Sequence, residues 1–322
     1  MTLSNMTGLR GRLLATTSGL ILAAALAGPA LAEGAGSFQI DLIGDWNTVG
    51  GGATQWTSDL PAGAAGNTGR LKPRGGFDGE ADITWRPSAS NWVFLGSVRY
   101  GRTNTSHSAV SQYSSNNSGY RSYYGKGRQH ETHLMVDFQA GRDVGLGMFG
   151  KGSSSILAAG VRFVHFTSTT TADFSTYAKY RSGYVSGTRH RRINRLTTGA
   201  GPMVSWKTNV PLSSGFAFRF GASGALLVTN QIAKFSDVFT AGRFDEGLDS
   251  PTVSGRRSST RLVPEPAAYA ALAFTPRGSA LSIAVGYRVD AYFGVLDGGF
   301  DTAHRVDRVL AGPFVDLSVK FK

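Results

Sequence analysis

His130, Glu131, His133 and Asp137 are the one compact set in this sequence with acid/base or metal-binding potential. On an extended segment, residues 130 and 133 point to opposite faces, so the two imidazoles do not share a metal ion. The other histidines, at 107, 165, 190 and 304, are scattered. There is no serine nucleophile elbow and no zinc-ligand spacing. A Ser-His pair, or an Asp-His pair as in the omptin proteases, assembled at a rim from distant strands leaves a hydrolase as an alternative, because strands bring remote residues together. The expectation is a protein without catalytic chemistry, cofactor or metal.

The elements that carry the charged side chains are more informative. Between Arg308 and Lys322, Val309, Ala311, Pro313, Val315, Leu317, Val319 and Phe321 share one parity, and Asp316, Ser318, Lys320 and Lys322 the other. A strand sends successive side chains to opposite faces, so this one is apolar on one side and polar on the other. It is long enough to cross a bilayer when tilted. The same pattern recurs along the chain. Residues 38 to 46 set Phe38, Ile40, Leu42 and Trp46 against Gln39, Asp41 and Asp45, and residues 77 to 86 set Phe77, Ala81, Ile83 and Trp85 against Asp78, Glu80, Asp82 and Thr84. Further segments centre on Trp92 to Tyr100, Leu134 to Ala140, Leu157 to Phe163, Leu196 to Trp206, Phe216 to Val228, Leu262 to Phe274 and Leu281 to Ala291.

Ten strands result, with eight or twelve as alternatives. Pro264 and Pro266 each lack a ladder donor, so the eighth strand is expected to begin near Ala267 or to have an irregular rim. Connections alternate: long at 48 to 76, 101 to 129, 165 to 192 and 234 to 259, and short at 87 to 91, 208 to 215 and 275 to 279. The alternation predicts an antiparallel all-β transmembrane barrel with short periplasmic turns, long outer loops and periplasmic termini. Closure leaves no sheet edge in lipid.

Composition agrees. Residues 1–32 carry Arg10 and Arg12, an apolar run and Ala30-Leu31-Ala32, the pattern of a cleaved secretory signal, leaving 33–322 as the barrel. The chain has no cysteine and a formal charge of +12, or about +10 without the signal. No later apolar run reaches the roughly 18 residues of a membrane helix. Export and the absence of any recognition motif argue against nucleic acid.

If the apolar parity faces lipid, the lumen receives Asp41, Asp45, Asp78, Glu80, Asp82, Arg99, Asp137, Arg162, Arg195, Arg219, Glu265, Arg288 and Asp290. Both signs are present. They either line a polar pore and set its ion selectivity, or pair and plug a narrow barrel that works through its loops as a structural or adhesive surface protein. Arg189, Arg191, Arg192, Arg256 and Arg257 form an outer-loop basic cluster suited to lipopolysaccharide phosphates or to drawing anions toward a channel mouth. Expected partners are membrane lipid, lipopolysaccharide and the barrel-assembly machinery during insertion. Nothing marks an oligomer contact.

Gly286-Tyr287-Arg288, then Tyr292 to Gly299 including Gly298, and Gly312-Pro313-Phe314 resemble the Legionella-type major outer membrane protein family, as does Gly199-Ala200-Gly201-Pro202. Met203 stands where the family usually has Arg, and the chain lacks the cysteines of some members. The resemblance implies a pore-forming barrel in the bacterial outer membrane, and on it rests the reading of a porin-like channel for ions and small solutes.

Overall fold

Extended pairing follows from the alternation itself, because each segment can bury its backbone polar groups only against another strand when lipid covers one face. The computed structural model describes residues 36–55, 70–88, 90–103, 106–116, 119–145, 153–180, 183–242, 252–299 and 303–321. The expected signal segment lies outside them. In chain order the strands are β1 (Ser37–Gly50), β2 (Thr54–Gln55), β3 (Arg70–Leu71), β4 (Gly75–Arg86), β5 (Trp92–Thr103), β6 (Ser106–Asn116), β7 (Gly119–Asp143), β8 (Ser154–Tyr180), β9 (Gly183–Pro211), β10 (Phe216–Gly242), β11 (Thr252–Phe274), β12 (Leu281–Asp297) and β13 (Arg305–Phe321).

Ten of these close a barrel, each antiparallel to its neighbours: β1, β4, β5, β7 to β13, with β13 paired back on β1. β6 continues the line of β5 along the outer half of β7. β2 and β3 pair only with each other, a short pairing inside the first long connection.

The register fixes the barrel's geometry. Following hydrogen-bonded partners from Asp45 through Asp78, Gly101, His133, Phe166 and Thr197 leads to Gln231 on β10. Going the other way, through Phe314, Gly286 and Ala271, leads to Arg219 on the same strand. Those two residues are twelve apart. A shear of twelve on ten strands corresponds to a strand tilt of about 40°.

The outer face is a belt of exposed apolar side chains, including Trp46, Trp85, Phe94, Phe138, Phe163, Phe218, Leu272, Val285 and Leu317. No helix among the described residues is long and apolar enough to cross a membrane; the crossing is made by strands. A crossing needs only about ten residues, yet β7 to β11 run for 23 to 29. They therefore stand well beyond the belt.

This extension corrects the expected loops. Most of 101 to 129, 165 to 192 and 234 to 259 is strand. Beyond the lipid belt the outward face meets water and the buried inward face mixes polar with apolar side chains, so pairing continues without apolar alternation and gives no period-two signal.

The eighth predicted strand, β11, is continuous with β10 from Phe274 to Thr252, but pairs with β12 only up to Ala267 and Asp290. Pro264 and Pro266 sit inside the unbroken β10 ladder, so their nitrogens face β12, the side on which pairing stops. The irregular rim expected from the prolines is thus present on one side only. Beyond Asp290, β12 keeps its pairing with β13 through a bulge between Tyr292 and Leu296 and turns inward at Gly294, whose φ is 71°.

Candidate functional site

All thirteen charged residues assigned to the lumen by parity face inward. They are not a loose lining but a stack of layers.

At the short-turn end, a cavity of about 900 Å³ runs from Arg86, Gly278 and Lys320 inward to Arg99, Met135 and Met203. Asp41 lies on its wall. Lys207 Nζ reaches Asp82 across the barrel at 3.2 Å. Arg219 donates to Asp316 (3.0 Å), Ser318 (3.2 Å) and Ser282 (2.9 Å). Phe314 projects into the barrel beside Tyr269, with ring centroids 6.2 Å apart, and Arg288 sits 5.5 Å over the Phe314 ring. Only glycine fits at 286, where a Cβ would lie 2.6 Å from that ring.

Above the cavity, ion pairs tie opposite walls together. Arg99 on β5 donates to Asp78 at 2.9 Å and across the lumen to Asp290 on β12 at 2.7 Å, with Asp45 3.5 Å away. Arg288 donates to Asp45 (3.1 Å) and to Glu80. Arg162 on β8 grips Asp137 at 2.7 Å and bridges to Glu265 on β11. His133, absent from the predicted lumen set, joins Asp78 at 3.1 Å, while His130 lies on the outer face; the two do not combine, as the spacing required.

The next layer is apolar. Met135, Val164, Phe166, Met203, Leu227, Val263, Tyr292, Val295 and Leu296 are buried together inside the barrel. The Tyr292 ring meets Phe166 edge-on at 4.9 Å, and its hydroxyl donates to Met135 Sδ. The inturned end of β12 supplies much of this layer, held from β9 and β10 by Thr197 donating to the Val295 carbonyl (2.5 Å) and Gln231 to that of Gly294 (2.6 Å).

A second charged layer closes over it. Arg308 donates twice to Glu131, at 2.7 and 2.6 Å, and to the Gly52 carbonyl at 2.6 Å. Arg195 reaches the carbonyls of Asp297 (2.8 Å) and Gln55 (2.7 Å). Arg257 on β11 donates to the Asp297 carboxylate at 2.7 Å. Burial pushes the Asp297 carboxyl up, but Arg257 and the backbone N–H groups of His304 and Gly299 outweigh it and hold the group below the ordinary carboxylate range.

The outer-loop basic cluster is split by the strands that carry it. Arg189 and Arg191 turn inward onto Asp237, at 2.7 Å and, from Arg191 Nη2, 2.7 Å. Burial alone would raise Asp237, and the two arginines hold it low. Arg192 and Arg256 face outward, and Arg257 faces in. The expectation of one exposed cluster is corrected, because successive residues on a strand cannot share a face. The same parity signal covers Lys207, in step with Arg195, and Arg308 and Asp316, in step with Ser318 and Lys320 on the polar side of the last strand. An Asp-His contact does exist: His190 Nδ1 lies 2.7 Å from Asp173 on the outward face, with both side chains more than half exposed.

A closed antiparallel barrel with an apolar outer belt and a polar, ion-paired interior defines a transmembrane β-barrel of the outer-membrane type. More particularly, the chain belongs to the family described as Legionella pneumophila major outer membrane protein precursor, whose profile matches residues 91–321. Among curated proteins none matches. Solved structures similar to it include the outer membrane protease OmpT from Escherichia coli (8% identity, 88% of this chain and 96% of that one, TM-score 0.43). The translocator domain of the autotransporter NalP from Neisseria meningitidis is another (12%, 97% and 98%, TM-score 0.28). A third is a mutant of TodX, titled a monoaromatic hydrocarbon channel (8%, 92% and 94%, TM-score 0.25). Likenesses this distant do not assign any of those activities to this chain.

Proposed function

We propose that this protein is an outer-membrane barrel whose lumen is closed at rest and whose work is done at its two ends, in place of the freely open porin that the family resemblance implied. The observation that carries this reading is the apolar layer around Phe166, Tyr292 and Leu296, which lies across the lumen between two layers of ion pairs. An ion entering that layer would give up water and find hydrocarbon in exchange. The cross-lumen arginines hold opposite walls at fixed separation, and the long outer strands and their loops are what the barrel presents outside the cell. No bond-making chemistry is required.

A second reading is favoured by one specific feature. β12 has no partner on β11 beyond Asp290, so on that side its inturned end is held by side chains of β9, β10 and β11 rather than by a ladder, and only β13 still pairs with it. Release of that segment would join the cavity to the outside and give a gated channel for ions and small solutes, with lumen arginines and carboxylates setting its selectivity.

Planar-bilayer recording of the chain from Glu33 onward, under a salt gradient, tests both. The closed barrel gives no discrete current steps from protein shown to be folded, and a Phe166→Ala/Tyr292→Ala/Leu296→Ala variant gives them. Steps from the unaltered protein, with a reversal potential moved by Arg219→Glu or Arg288→Glu, would overturn the closed reading and support the channel.

A further inference from the structure

The outward side chains of β7 to β11 change character along the strands. In the lipid belt one register row reads Val136, Phe163, Ala200, Val228 and Leu262. Six residues further out on β10 the row centres on Lys234, with Asn194 as its partner on β9 and Arg256 as its partner on β11. The next row out places Arg128 and Arg192 on either side of Thr171. Arg128, Arg192, Lys234 and Arg256 are all exposed.

Lys234 and Arg256 are direct cross-strand neighbours of like charge, an arrangement that by itself destabilises a sheet. No carboxylate pairs with either among the described residues. On the lumen side of the same strands, Arg191 and Arg257 are neutralised by Asp237 and Asp297. The contrast is between an interior that balances its charge and an outer pair, Lys234 and Arg256, that the described residues do not balance.

We infer that this patch binds the phosphorylated sugar headgroup of lipopolysaccharide in the surrounding outer leaflet. The inference rests on the outer-membrane reading, with the long strand extensions directed outward. Six residues along a strand tilted by about 40° raise Lys234 about 15 Å above Val228. That exceeds the roughly 5 to 8 Å of a phospholipid headgroup zone, and suits the phosphate- and carboxylate-bearing inner sugars of a lipopolysaccharide. The patch is continuous with the lipid-facing belt below it, so one molecule can lay its acyl chains on Val228 and Leu262 and its anionic sugars on Lys234, Arg256 and Arg192. The arginines offer paired donors to phosphate, and Asn194, Thr171 and Ser236 on the intervening positions offer hydrogen bonds to sugar hydroxyls.

The test is binding of purified, folded protein to lipopolysaccharide carrying lipid A and inner core, in phosphatidylcholine nanodiscs. The Arg192→Glu/Lys234→Glu/Arg256→Glu variant is expected to bind at least roughly tenfold more weakly. A Lys72→Glu/Arg74→Glu control, equally exposed but outside the patch, keeps the affinity. Dephosphorylated lipopolysaccharide should bind the unaltered protein as weakly as the intact lipid binds the triple variant. Equal affinity of the triple variant, or indifference to dephosphorylation, would overturn the inference. So would inorganic phosphate displacing the lipid at equal phosphate concentration, which would make the site one for the free anion. A Ser254→Cys variant in intact cells tests separately the orientation on which this rests: labelling by a membrane-impermeant maleimide is expected, failure to label would overturn the outward orientation and with it this occupant, and labelling together with indifference to dephosphorylation would overturn the inference alone.

Discussion

Arg308 carries the cost of the lumen's design most plainly. Its side chain is 1% exposed, and its charge is matched by Glu131, 4% exposed on the opposite wall. Removing one member of such a pair leaves the other buried without compensation, at a cost of about 3 to 5 kcal/mol. Arg308→Ala is therefore expected to lower unfolding stability by that order, measured by urea titration of the barrel in detergent or lipid. Adding Glu131→Gln should recover part of the loss, since the stranded charge is then gone; a double variant as unstable as the sum of the two singles would show no coupling. The thirteen inward residues were legible because polar parity is a strong signal wherever the other parity meets lipid. The residues of the apolar layer were not. Met135, Phe166 and Leu227 are apolar on the inward parity, and a strand that is apolar on both faces gives no sign of which apolar side chain meets lipid.

At the scale of the element, the end of β12 was the least legible part of the fold. Parity slips at the bulge, so Val295 and Leu296 are both buried, which no alternating pattern can express. Only Pro264 and Pro266 hinted that this wall was incomplete. The inturned segment lies beyond the lipid belt and depends on Asp297, whose carboxyl is held low by Arg257 and two backbone N–H groups. A depressed carboxylate contributes stability that is present above its unfolded value, near 3.9, and is lost as pH falls through its lower folded value. Acidification below about pH 4 should therefore loosen residues 294 to 299 before the barrel wall. Amide exchange by mass spectrometry, corrected for the intrinsic rate, should rise there and stay low in β8 and β9. Arg257→Gln should raise exchange at neutral pH and flatten its dependence on acid. Unchanged exchange in both would mean that Asp297 does not fasten the segment.

For the whole molecule, the proposed closure at mid-height would put the two ends in contact with different compartments, and the cysteine-free chain allows this to be measured directly. Ser97 lines the cavity at the short-turn end, whereas Ser168 is 0% exposed beyond the apolar layer. In folded, purified protein a Ser97→Cys thiol should react with a hydrophilic maleimide, and a Ser168→Cys thiol should react only after unfolding. In intact cells the two hypotheses of lumen state and orientation separate. With a closed barrel and periplasmic short turns, an impermeant reagent supplied outside does not reach Ser97→Cys, and permeabilising the outer membrane exposes it. An open pore would admit the reagent from outside without permeabilisation. An inverted barrel would also label from outside, but it would leave the Ser254→Cys position on the outer strand extension unlabelled. The pattern across the three positions therefore assigns both the state of the lumen and the direction of the barrel, and only silence at Ser97→Cys in intact cells, with labelling at Ser254→Cys, is compatible with a closed barrel facing outward with its long strands.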